Sequence, residues 1–167
     1  LSVWLGDRCV ADGGYLTVVA KGQRAVKNVE TERKLVGIGM DCGFGGKNTD
    51  QVLEVLAKHN TNITFFMTGY FVRTFPEESK RVLAAGNEIG DHTNTHPQLT
   101  KERPYSMMRQ IVFPAETMAE TLGVSPRLMR PPYGDVNSNV ISVSRAEGME
   151  CVLWNMSTKG SITMAPW

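Results

Sequence analysis

From Lys34 onward, runs of strand length alternate with stretches of helical apolar spacing, which restricts the fold to βα units around a parallel sheet or barrel. Lys34 to Met40 reads as a strand that stops at Asp41-Cys42-Gly43, and Thr49 to His59 follows as a helix with apolar residues at Val52, Leu53, Val55 and Leu56. Asn62 to Met67 is the next strand. Pro76 to Ala85 reads as a helix with proline near its start and Gly86 at its end, and Glu88-Ile89-Gly90 as a short strand leading into Asp91-His92. A longer helix is expected between Arg103 and Leu122. Arg127 to Arg130 is a short strand broken by Pro131-Pro132, Asn137 to Gly148 is helical, and Glu150 to Trp154 is the last strand.

This order has a functional consequence. Asp41, His92, Arg130 and Asn155 all fall at or just past the C-terminal end of an expected strand, and in βα barrels the active site is built on that rim. Residues far apart in sequence would converge there. The 167 residues fit one domain, expected over residues 34–167, with the less regular residues 1–33 as an N-terminal extension, a cap or an extra strand pair.

Eighteen Lys plus Arg nearly cancel seventeen Asp plus Glu, so no overall field favours nucleic acid or an anionic membrane, and a neutral substrate is compatible. The longest apolar runs, Ile63 to Met67 and Val140 to Val143, fall far short of the roughly 18–20 residues that cross a bilayer. Leu1 to Arg8 shows no basic segment followed by an apolar one, so no signal peptide is visible. Three cysteines, Cys9, Cys42 and Cys151, are too few for a disulfide scaffold. A Cys9–Cys151 bridge is one arrangement; Cys151 as a small buried hydrophobe is the other.

His92 and His96 have a spacing that can place two imidazoles on one metal ion, and Pro97 disfavours a helix there and favours a loop. Two unrelated surface histidines are the ordinary alternative. The third histidine, His59, lies at the opposite end of the sheet. Asp41 ends an apolar strand and opens a glycine-rich loop, where a carboxylate could take a proton from water or simply cap a turn. Cys42 could be a soft zinc ligand or, pointing the other way, a buried side chain. Two prolines stiffen the chain after Arg130, as suits a guanidinium that must hold a carboxylate in one orientation. Gly45-Gly46-Lys47-Asn48-Thr49 lacks the spacing of a phosphate loop, so nucleotide binding is discounted.

Taken together, Met40-Asp41-Cys42-Gly43, Asn62 to Gly69, Gly86 to His92 with His96, and Arg130-Pro131-Pro132-Tyr133-Gly134 resemble the polysaccharide deacetylase family, carbohydrate esterase family four, over roughly Val36 to Trp154. The resemblance implies an α/β fold, an irregular (β/α) barrel that is short or open on one side because about one βα unit of the family pattern is absent between Thr158 and Gly160. It implies Asp41 as catalytic base and Arg130 as the residue that orients it. His92 and His96 would be metal ligands, with Cys42 where most members have a ligand aspartate. Tyr133 would offer a backbone N–H to the oxyanion, and Tyr133, Pro132 and Trp154 would contact substrate. The implied cofactor is a divalent metal, zinc or else cobalt. The implied partner is an acetylated polysaccharide such as peptidoglycan, chitin or xylan, and the implied location is secreted or cell-surface. The implied reaction is metal-assisted hydrolysis of an acetyl amide or ester.

Three positions depart from the family pattern: Cys42, Ser157 where an aspartate is common, and Ala165 where a histidine acid is usual. Two functions follow. One is a deacetylase, favoured by Asp41, His92, His96 and Arg130. The other is a glycan-binding module that keeps the groove without turnover.

Overall fold

The structure is a computed structural model and describes residues 10–12, 15–17, 24–28 and 34–157. Strands β1 (Val10–Asp12) and β2 (Tyr15–Thr17) form a separate antiparallel pair. Strands β3 (Gly39–Cys42), β4 (Thr64–Met67), β5 (Glu88–Asp91), β6 (Leu128–Met129) and β7 (Glu150–Cys151) form one parallel sheet in sequence order. Helices α1 (Thr49–Lys58), α2 (Gly69–Thr74), α3 (Pro76–Ala84), α4 (Pro104–Leu122) and α5 (Ser138–Ala146) supply the crossovers. Parallel strands in sequence order, each returning through helix, wind as a barrel winds and bring every C-terminal strand end to one rim. Among the described residues β3 and β7 do not pair with each other, so the fold is an irregular, incomplete (β/α) barrel.

The strands are shorter than the apolar runs that announce them. Gly39 pairs with Thr64, the first residue of β4, so Lys34 to Ile38 run past the start of the one strand that pairs with β3 among the described residues, and Val36 and Ile38 are exposed. The last strand stops at Cys151, but Val152 bridges to Val26: Val26 N–H donates to Cys151 O at 2.8 Å and Leu153 N–H to Val26 O at 2.7 Å. Val26 thus adds a single parallel bridge beyond β7. Helix α2 has no counterpart in the sequence reading, because six residues are too few for a helical period. It starts at Thr68, whose hydroxyl accepts the Phe71 N–H at 3.0 Å.

Strand alternation sorts the side chains. Phe65 and Met67 face the helices in one core cluster with Phe71, Val72, Val82 and Ile89, while Phe66 faces the opposite side. A second cluster joins Ile111, Met129, Val140, Met149 and Cys151 beneath α4 and α5. Cys151 is a free buried thiol with Sγ 3.3 Å from Ser144 Oγ; Cys9 lies outside the described residues.

One buried side chain ties α3 to β4. Asn87 accepts the Ile63 N–H at 3.0 Å and donates to Val82 O at 3.2 Å. Asn87→Ala leaves the Ile63 N–H unpaired in the interior, while Val82 O keeps the backbone N–H of residue 87 at 3.4 Å, and is expected to cost about 1–3 kcal/mol in chemical denaturation. Asn62→Ala, which removes an exposed bond to Ala85 O, is expected to cost under about 1 kcal/mol.

Candidate active site

Asp41, in β3, and Arg130, just after β6, meet across the rim: Arg130 Nη1 donates to Asp41 Oδ1 at 2.7 Å. The arginine side chain is only 11% exposed and Asp41 37%, so the pair is a fixed feature of the cleft and not a surface ion pair. The guanidinium lies on the Phe66 ring with Cζ 4.0 Å from its centroid, and this contact occupies the face beside Arg130 Nε, which is buried without a hydrogen-bond acceptor. Two glycines make the room. A Cβ on Gly39 would lie 2.4 Å from Arg130 Nη2, and one on Gly90 would lie 2.6 Å from Phe66 Cδ1. Neither glycine stands out in sequence, because the need for them comes from side chains on other strands.

The loop after β5 carries both histidines. His92 is buried, and its Nδ1 lies 2.6 Å from Arg130 O. A carbonyl can only accept, so Nδ1 carries the proton and Nε2 presents a lone pair. Nε2 faces Asp41 Oδ2 at 3.8 Å. His96 stacks edge-on to His92, ring centroids 4.9 Å apart. The loop reaches this shape through left-handed backbone at two residues that are not glycine, Thr93 (φ 69°) and His96 (φ 63°). Asp91 Oδ1 accepts the Thr93 N–H at 2.6 Å, and Thr93 Oγ1 accepts the His96 N–H at 3.0 Å. Asp91 is fully buried, its other oxygen has no partner, and burial pushes its carboxyl well above the ordinary range against the pull of the Thr93 N–H. This acid beneath the histidine loop is a residue the sequence reading missed.

Desolvation lowers the pKa of both histidines, with the nearby Asp41 carboxylate opposing it. Neutral imidazoles are the state a metal needs. They also fix a pH dependence. In the unfolded chain these groups take protons at their ordinary value, 6.5, whereas in the folded chain they do so only at lower pH. The unfolded state therefore binds more protons as pH falls through 6.5, and stability drops in that window. The share of the two histidines, a loss of stability between about pH 6.5 and pH 5 that the raised carboxyl of Asp91 opposes, is expected to appear as the difference in denaturation midpoint between the wild type and a His92→Asn/His96→Asn variant across that window.

Other expected residues are placed as follows. Cys42 points away from Asp41 into the core with Ile63, Phe65 and Met67, and burial together with the Asp41 charge pushes its thiol up to about 12. A protonated thiol in an apolar cluster is a poor metal ligand, and among the described residues no three His, Cys, Asp or Glu side chains gather to hold a metal ion. Pro132 is buried and shapes the turn Pro132–Gly134, so the surface offered to a ligand is Tyr133, which is 63% exposed with φ 61°. Trp154 sits 5.9 Å from Arg130 Cζ, packed over Gly134. Asn155 donates to Asn28 at 2.9 Å, at the far edge of the sheet. His59 caps the end of α1, and among the described residues the hydrogen bond that Asp41 accepts comes from Arg130 and not from a turn N–H. Ser157 is exposed, and Ala165 lies outside the described residues.

A carboxylate with one oxygen fixed by arginine and the other facing the lone pair of a neutral histidine, on the C-terminal rim of a βα barrel, could take a proton from water, and the two imidazoles beside it could donate to a divalent ion. Imidazole is a donor type that zinc accepts, and among the described residues no third His, Cys, Asp or Glu joins the pair in a metal-holding group. The sequence profile of the family described as polysaccharide deacetylase matches residues 28–152, and the chain belongs to that family. It is 32% identical over 130 residues to the peptidoglycan-N-acetylmuramic acid deacetylase PdaC of Bacillus subtilis, covering 78% of this chain and 27% of that protein. The solved structure of PdaC superposes with a TM-score of 0.68 at 33% identity, over 76% of this chain and 61% of that one. A peptidoglycan-N-acetylglucosamine deacetylase of Bacillus cereus is 32% identical over 123 residues, 74% of this chain and 45% of the relative. A CE4 family pseudoenzyme from Bacillus anthracis shares the fold, with a TM-score of 0.77 at 22% identity over 80% of this chain and 47% of that one. The chain spans less than half the length of the two curated relatives.

Proposed function

We propose that this chain is a hydrolase that removes acetyl groups from an N- or O-acetylated polysaccharide, with peptidoglycan foremost, at the cell surface or outside the cell. The observation that carries the reading is the Asp41 carboxylate, held at Oδ1 by Arg130 at 2.7 Å with Oδ2 turned toward His92 Nε2 at 3.8 Å. Arg130 occupies one oxygen, so Oδ2 is the one left to take a proton from the attacking water. His92 and His96 would hold a divalent ion, zinc or cobalt, with water filling the remaining positions. The chemistry supplied by such an ion, once bound, is acidification of water and polarisation of a carbonyl. Tyr133 would direct its N–H at the oxyanion, and Tyr133 and Trp154 would flank the sugar. The proton taken by Asp41 is then the one available to the leaving amine or hydroxyl.

The test is acetate release from acetylated chito-oligosaccharides, peptidoglycan fragments and acetylated xylan with zinc or cobalt present. Release that disappears on chelation and returns with metal supports the reading; none from any substrate overturns it. The core position of Cys42 favours a second reading, a glycan-binding module without turnover, since it leaves the metal one protein ligand short. Saturable oligosaccharide binding with no acetate release would select that reading.

A further inference from the structure

We propose that Phe44 and Tyr70 form a stacking subsite for a pyranose ring of the polysaccharide, next to the acetylated unit and on the β3 side of the histidine pair. This rests on the reading of the site as one that takes an acetylated sugar. Neither residue belongs to the motifs that mark the site. Phe44 is 51% and Tyr70 42% exposed, and one exposed ring alone would mean little. These two touch each other, ring centroids 5.5 Å apart, and Phe44 touches His96 edge-on at 6.0 Å. His96 in turn meets Tyr133 at 4.9 Å. The four rings come from the segments that follow β3, β4, β5 and β6, Tyr70 from the first turn of α2, and those strands are neighbours in the sheet in that order. The aromatic row therefore crosses the rim, with His96 between Phe44 and Tyr133. A polymer whose acetyl group reaches Asp41 and the histidines would extend over one flank or both.

The rings are held ready. Thr68 Oγ1 donates to Gly43 O at 2.8 Å, fixing the loop that carries Phe44. Tyr70 N–H donates to Asn94 O at 3.0 Å, tying it to the loop between the histidines. Pre-ordered rings lose little freedom when a ligand arrives. A sugar ring has an apolar face of C–H groups and a polar edge, which matches an exposed aromatic face beside polar loops. Two rings offer far less than the roughly 800 Å² per partner of a stable protein interface, which argues for a sugar over a protein.

The experiment is calorimetric titration of the N-acetylglucosamine tetramer into the chain and into Phe44→Ala, Tyr70→Ala and the double variant, with acetate release followed in parallel. Val55→Ala, an exposed apolar residue of α1, is the control, and thermal melts show that each variant is folded. The expected result is binding about threefold weaker in each single variant and about tenfold weaker in the double, with Phe44→Tyr near wild type. Where acetate is released, the loss appears in KM more than in kcat. Unchanged binding in the double variant, or a wild type that does not bind the tetramer, overturns the subsite. Weakened binding in the variants, with no acetate released by the wild type from the tetramer, peptidoglycan fragments or acetylated xylan in zinc or cobalt, keeps the subsite and sinks the deacetylase reading; acetate release with binding indifferent to both rings does the reverse.

Discussion

Asp41→Asn is expected to lower acetate release about a hundred- to ten-thousand-fold, the span that a positioned general base contributes. The change is nearly isosteric, and the amide oxygen can still accept from Arg130 Nη1, now 2.7 Å from Oδ1. What disappears is the basic oxygen facing His92. The side chain is 37% exposed, so the substitution buries no new polar group, but it leaves the guanidinium of Arg130, 11% exposed, without its countercharge; the melting temperature should fall, and turnover is compared per folded molecule. Zinc affinity, measured by calorimetry, should fall far less than in His92→Ala or His96→Ala, because the imidazoles are the donors. Turnover within tenfold of wild type would show that another group takes the proton. A collapse of zinc affinity equal to that of the histidine variants would instead make Asp41 a ligand.

The order of strands and helices was legible because hydrophobic periodicity is local. Thr49–Lys58 and Pro104–Leu122 fall within two residues of the expected helices for that reason. Strand lengths were not legible, since a strand exists only where a neighbour pairs with it: Lys34 to Ile38 have the composition of a strand, but the ladder to β4 begins only at Gly39, with Ile38 O accepting the Thr64 N–H at 3.2 Å. The pairing of Val26 with Val152 joins residues more than a hundred positions apart, and no local pattern announces it. For the site, motif residues announced Asp41, His92, His96 and Arg130, and the rim position of their strand ends foretold their convergence. Alternation along β3 left Cys42 with two directions, and the packing of Phe65, Met67 and Ile63 decides for the core. Asp91, Phe44 and Tyr70 were overlooked because each matters only through a neighbour: a left-handed Thr93, or a ring from another loop.

Gly39→Ala is the second large effect expected, and it separates positioning from stability. A Cβ there would lie 2.4 Å from Arg130 Nη2, 2.9 Å from Nη1 and 2.9 Å from Phe66 Cε2. An arginine tip would ordinarily swing aside at little cost. This one is 11% exposed, bonded to Asp41 and lying on the Phe66 ring, so its easiest escape breaks the contact that orients the base. Overpacking of this kind costs about 1–3 kcal/mol. Misplacing a catalytic group by about an ångström can cost about a hundredfold in rate. The expected outcome is a folded variant, destabilised by about 1–3 kcal/mol in denaturant, whose turnover per folded molecule falls about a hundredfold. Gly37→Ala is the control two residues upstream, where a Cβ meets nothing within 4 Å, and it should match wild type in both measurements. Lost stability with turnover intact would mean that Phe66 yields and Arg130 does not. Lost turnover would mean that the absence of a side chain at residue 39 is as much a part of the site as the arginine it admits.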